Sequence, residues 1–166
     1  LFLKIIHMVI LSDEDLERIC LEMVTRAKYE FPIYYPHLYL LYKTGCRIGE
    51  VFDFRLYYDH SQMAVKIEAQ KKNYTRVIPV TADIDLNIVK RLQDRQDLFY
   101  FNIRNLQRAI KKIMPVSNIM CGKKNIGAHI FRHNYIRKLL AEGKSIEEIN
   151  QHMGYTSQTV EDTYLS

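Results

Sequence analysis

Between residues 54 and 80 the hydrophobic period of the chain changes, and that change limits the folds open to it. Upstream the period is helical. Ser12 followed by Asp13, Glu14 and Asp15 reads as a helix start, with Ser capping free N–H groups and the acids complementing the helix dipole. Leu16, Ile19, Cys20 and Met23 follow at three- and four-residue spacing, which predicts a helix to about Tyr29. A second, nearly all-apolar helix is expected from Pro36 to Gly45, a C-terminal glycine stop. A short helix should restart after Gly45, at Cys46, and end near Asp53. After Phe54, Met63, Val65 and Ile67 alternate with Ala64, Lys66 and Glu68, which is the period of a strand. Asp59-His60-Ser61 and Lys71-Lys72-Asn73-Tyr74 read as turns around it, with Leu56–Tyr58 and Thr75–Val80 as partner strands. Helical spacing then returns at Asp83–Arg95, from Asn102 to about Met114, from Gly127 to Gly143, and from Ser145 to Gly154. Thr156 or Ser157 should cap a last helix, and Pro115–Asn125 reads as a loop. The expected class is α+β: mainly α-helical, with one small three-stranded antiparallel sheet.

A chain of 166 residues with 48% hydrophobic content supports one domain with a real core and excludes a disordered chain. No apolar run approaches the roughly 20 residues of a membrane span, and LFLKIIHMVIL lacks the cleavage site of a signal peptide. Beginning at Leu1, the chain reads as a fragment of something longer. Cys20, Cys46 and Cys121 stand far apart, which argues against a disulfide framework or a cysteine zinc site and fits a reducing cytoplasm. A net charge of +5 is consistent with a polyanionic partner. No glycine-rich phosphate loop is present.

Chemistry-bearing residues concentrate between His129 and Tyr164. On one helix His129, Arg132 and His133 would share a face, and imidazole beside guanidinium makes a phosphate receptor. Arg47 falls at a junction between two helices, where it either projects into a cleft or forms a surface ion pair with Glu50. The hairpin tip carries Lys71 and Lys72. Arg104, Arg108, Lys111 and Lys112 make one helix side basic, and Lys123 and Lys124 follow in the loop. These are either solvated faces or phosphate contacts. Tyr164 is either a core residue or a nucleophile.

In order along the chain stand Thr44-Gly45-Cys46-Arg47-Ile48-Gly49-Glu50, a lysine-tipped hairpin, His129-Ile130-Phe131-Arg132-His133, Met153-Gly154-Tyr155, and Tyr164 nine residues further on. Joint order and spacing resemble the catalytic domain of the tyrosine recombinases, the phage integrase family, over nearly the whole chain. The resemblance implies that residues 1–166 are that catalytic domain without the upstream core-binding domain. Arg47 and Arg132 would grip a scissile phosphate and Tyr164 would attack it. His129 would assist proton transfer, and Lys71 (or Lys72) would protonate the leaving 5′-oxygen. Glu50 would support Arg47, and His133 would be structural. Tyr155 departs from the family pattern, which has His or Trp there; a phenol can still donate one hydrogen bond.

Implied partners are double-stranded DNA and, on paired sites, a homotetramer, the isolated fragment being monomeric and weak in DNA affinity. Neither metal nor ATP nor any other cofactor is called for, and the implied location is cytoplasmic, at the nucleoid or in the host of a phage. A type IB topoisomerase and a catalytically weakened DNA-binding relative remain alternatives. A zinc hydrolase fits poorly, since Ile130 stands where the H-E-x-x-H motif needs Glu.

Overall fold

The computed structural model describes residues 9–52, 55–69, 73–80, 83–94, 102–115, 119–121, 124–155 and 160. Its architecture is mainly helical, with the expected antiparallel sheet inserted between helices. A two-residue strand, β1 (Val9–Ile10), precedes the long first helix α1 (Asp13–Glu30). That helix is capped by Ser12, whose hydroxyl accepts from the Asp15 N–H. It buries Leu16, Ile19, Cys20, Met23, Val24 and Ala27 along one stripe. Helix α2 (Tyr35–Thr44) starts with Pro36 in its first turn, where a missing N–H costs nothing, and ends at Gly45. Helix α3 (Ile48–Phe52) follows at once.

Strands β2 (Leu56–Asp59), β3 (Ala64–Glu68) and β4 (Thr75–Pro79) form the antiparallel sheet in sequence order. Pairing sets Val65 opposite Ile78 and Ile67 opposite Arg76. Helix α4 is shorter than its pattern suggests: it runs Leu86–Gln93, because Asp85 takes the N-cap and accepts from the Asn87 N–H. Helix α5 (Ile103–Ile113) is capped by Asn102 as expected.

The segment expected as a loop carries two short strands, β5 (Ile119–Cys121) and β6 (Lys124–Asn125). With β1 they make a second three-stranded sheet, β1 lying parallel to β5. Strands of two and three residues are too short to show a period, and a parallel pair 110 residues apart in sequence leaves no local mark.

A 3-10 turn at Gly127–His129 leads into α6 (Ile130–Ala141). Helix α7 (Ile146–Met153) opens on a full capping box, Ser145 with Glu148, and stops at Gly154. Beyond it, Val160 is helical and buried; the expected cap at Thr156 or Ser157 lies outside the described residues. α6 packs against both α1 and α2, with Ile130, Phe131 and Ile136 fully buried. Glu17 ties the three helices together by accepting from Tyr42, Asn134 and Lys138. Cys20 and Cys46 are buried free thiols.

Candidate active site

The site is built where three backbone turns meet: the α2–α3 junction, the start of α6, and the turn after α7. The first depends on Gly45. Its φ of 61° is left-handed, and a Cβ there would stand 2.6 Å from Cγ and Cδ1 of Tyr135. Gly45→Ala should therefore destabilise the fold by about 2–5 kcal/mol, combining left-handed strain with overpacking. Thermal melting checks this, the expected drop being roughly 10 °C.

From this junction Arg47 projects with its side chain one-quarter exposed. Glu50 is 1% exposed, and its carboxylate takes both the Arg47 backbone N–H, at 2.7 Å, and Arg47 Nη1, at 3.4 Å. The pair is thus no exposed surface bridge. A buried carboxylate fixes the turn and the guanidinium together, as a support for Arg47 requires.

Arg132 extends from the first turn of α6 and is buried. Its Nη1 donates to the Gly45 carbonyl at 2.8 Å and its Nε to the Tyr155 hydroxyl at 2.6 Å. Nη2 is buried and has no hydrogen-bond partner among the described residues. The Tyr155 ring lies against both arginines, its centroid 4.7 Å from Arg132 Cζ and 5.9 Å from Arg47 Cζ. Arg47, Arg132 and Tyr155 are therefore brought to one place from positions far apart in the chain.

His129 stands exposed in a 3-10 turn that runs directly into α6, as its N-cap residue, three positions before Arg132. His133 is half-buried, one position beyond Arg132 on α6. It lines a crevice with Leu11, Leu16, Ile119 and Ile126, on a different side of α6 from Arg132. The face expected for the three residues is thus corrected for His133: Arg132 and His133 are consecutive helical positions, which turn by about 100°. Among the described residues no three His, Cys, Asp or Glu side chains gather as a metal site.

Arg104, Arg108, Lys111 and Lys112 form an exposed stripe on α5. That helix packs against α3 and the His129 turn. Lys124 lies on β6. Lys71, Lys72, Lys123 and Tyr164 lie outside the described residues.

One buried cation has no place in the motifs. Arg76 on β4 is 2% exposed. Its Nη2 donates to the Thr44 carbonyl at 2.6 Å and its Nε to the His152 carbonyl at 3.0 Å. The sequence does hold a signal for it, since strand alternation that places Ile78 inward places Arg76 inward too. Beside it, His152 Nε2 meets the Tyr135 hydroxyl at 2.9 Å. Burial, then the Arg76 and Lys144 charges, push the His152 imidazole down to about 4.

Such a histidine is neutral in the fold but takes a proton near pH 6.5 when unfolded. Its contribution is at most about 3 kcal/mol, and solvent screening of a partly exposed ring reduces it. It is present above pH 6.5 and is lost as pH falls towards 4. Glu17 acts in the same sense at lower pH. Burial raises its pKa, but the bonds from Tyr42 and Asn134 and the Lys138 charge outweigh that and hold it below its ordinary value. Melting midpoints should therefore fall steadily from pH 7 to pH 4.5, and His152→Gln should flatten the upper part of that decline.

Over residues 10–166 the sequence matches the profile of the phage integrase family, and the chain belongs to that family, the tyrosine recombinases. Among solved structures it is similar to XerA recombinase, with a TM-score of 0.61 and 21% identity over 93% of this chain and 60% of that one. The likeness is one of fold, the tyrosine recombinase catalytic-domain fold, and the chain spans about 60% of that protein's length. Comparison with curated protein sequences gives no match. Among the described residues no helix is long and apolar enough to cross a membrane.

Proposed function

We propose that this domain breaks and rejoins DNA strands through a 3′-phosphotyrosyl link formed by Tyr164, as a site-specific recombinase. The observation that carries the reading is the convergence of Arg47 and Arg132 on Tyr155, with a buried Arg132 N–H left over among the described residues. A phosphate oxygen supplies the missing acceptor. Cleavage of a phosphodiester builds negative charge on the non-bridging oxygens, and preorganised guanidinium donors stabilise it where it develops. Tyr155, which already accepts from Arg132, keeps its own hydroxyl proton to donate to the same phosphate.

In the step itself the Tyr164 oxygen bonds to phosphorus as the bond from phosphorus to the 5′-oxygen breaks. The phenol proton leaves with assistance from His129, and Lys71 protonates the departing oxygen. Lys72 is the alternative donor. Because the new ester retains the bond energy, attack by a 5′-hydroxyl reverses the step without ATP. The partner is double-stranded DNA, held in a tetramer of this protein on two paired sites.

Full-length protein should form a detergent-resistant adduct with a nicked duplex, in the presence of chelator, leaving a free 5′-hydroxyl. A recombination assay on paired sites against relaxation of a supercoiled circle separates strand exchange from a topoisomerase activity. An absent adduct refutes the reading.

The α5 stripe supplies sequence-independent phosphate contacts. Arg108→Glu with Lys111→Glu should weaken DNA binding across all sequences. It should also reduce the slope of log affinity against log salt by about 1–2, near 0.9 for each phosphate that is no longer neutralised. A titration at several salt concentrations checks it; an unchanged slope would place DNA elsewhere.

A further inference from the structure

Two adjacent backbone carbonyls at the α2–α3 junction are held by two different buried arginines. Thr44 accepts from Arg76 at 2.6 Å, and Gly45 accepts from Arg132 at 2.8 Å. Arg132 also donates to the hydroxyl of Tyr155, three residues beyond His152, whose carbonyl returns to Arg76 at 3.0 Å. The bonds close a ring: Arg76, Thr44–Gly45, Arg132, Tyr155, and back along the chain to His152. Arg76 is its one member from the β-sheet, and removing it opens the ring at two points.

The surroundings mark Arg76 as a spacer between backbones. It forms no salt bridge among the described residues. Nε and Nη2 both donate to main-chain carbonyls, Nη2 lies 3.5 Å from His152 Nε2, and Cζ lies 5.9 Å from the Tyr135 ring centroid. The planar fork holds Nε and Nη2 in a fixed relation and directs them at two acceptors on separate elements. A lysine ammonium is a single point and cannot span both in the same geometry.

We propose that Arg76 is a positioning residue for strand cleavage: by fixing the Thr44 and His152 carbonyls at one separation, it sets where Arg47 and Tyr155 stand around Arg132. This rests on the phosphoryl-transfer reading of the site. Arg47 leaves the backbone three residues after Thr44, and Tyr155 three residues after His152, so a shift in either carbonyl is carried directly to a phosphate-facing group. Displacements of about 1 Å in such groups cost on the order of a hundredfold in rate.

The test uses full-length protein, a nicked suicide duplex and single-turnover adduct formation. Arg76→Lys, which keeps the buried charge, should slow adduct formation by about 10- to 100-fold with the DNA dissociation constant unchanged. Arg76→Met, which frees both carbonyls, should be slower again. In an Arg47→Ala background, where the group being positioned is already missing, Arg76→Lys should cost much less than it does alone. Equal fold-losses in the two backgrounds would overturn the proposal, as would a wild-type rate in Arg76→Lys. A dissociation constant that worsens in step with the rate, the mark of general unfolding, would overturn it too. Failure of the cleavage reading itself shows separately, as absence of adduct with the wild-type protein.

Discussion

Arg132→Ala should slow covalent strand cleavage by about 10²- to 10³-fold, the loss typical of removing a preorganised donor from a developing oxyanion. Three donors go with the side chain. One holds the Gly45 carbonyl, one holds the Tyr155 hydroxyl, and the third, Nη2, is buried and unused among the described residues. Loss of the first two also releases the turn that carries Arg47 and the ring that lies against both arginines. Arg132→Lys should recover little of the rate, because one ammonium cannot serve a carbonyl, a phenol and a phosphate oxygen together. Single-turnover cleavage of a nicked duplex at saturating protein measures the effect on the chemical step apart from binding. A loss below about tenfold would remove Arg132 from the phosphate grip.

Much of this arrangement is legible in the sequence, for reasons that differ from residue to residue. Helices α1, α2, α5 and α7 carry clear start and stop residues and apolar stripes, and their limits fall within a residue or two of the pattern. Alternation at Met63–Glu68, flanked by turn residues and a β-rich Thr75–Val80, makes the antiparallel sheet visible before any coordinate. Arg47, Arg132 and Tyr155 are findable because they sit in ordered motifs. The contacts that make a site of them are another matter. Spacing alone places the α6 start too early, because Gly127–His129 closes as a 3-10 turn before the α-helix begins at Ile130. Sheet β1-β5-β6 is invisible locally since it joins segments far apart in the chain. Arg76 is hard to single out because a lone arginine in a strand is ordinarily solvent-facing; only tertiary packing buries it among carbonyls of two other elements. The Glu50 carboxylate likewise reads as half of a surface pair until α3 is packed, when it becomes 1% exposed.

Replacing Tyr164 with phenylalanine has the largest effect expected of any change: no covalent adduct, a fall of at least about 10⁴-fold, since the proposed attacking oxygen is gone. The phenol needs help to attack. Its pKa in isolation is about 10, and under the proposed mechanism the guanidiniums that hold the phosphate would favour phenolate character as the bond to phosphorus forms. DNA affinity should be nearly untouched, because the proposed grip is by Arg47, Arg132 and the α5 stripe. The competing candidate is Tyr155, whose hydroxyl is 2.6 Å from Arg132 Nε. In this account it donates to the phosphate and does not attack it. Tyr155→Phe should therefore slow adduct formation by about tenfold or more, with the adduct still forming. Both variants, incubated as full-length protein with a nicked suicide duplex and resolved on a denaturing gel, give the most direct measurement. The account predicts an adduct band with wild type and Tyr155→Phe and none with Tyr164→Phe; a band that survives Tyr164→Phe and vanishes in Tyr155→Phe would contradict it.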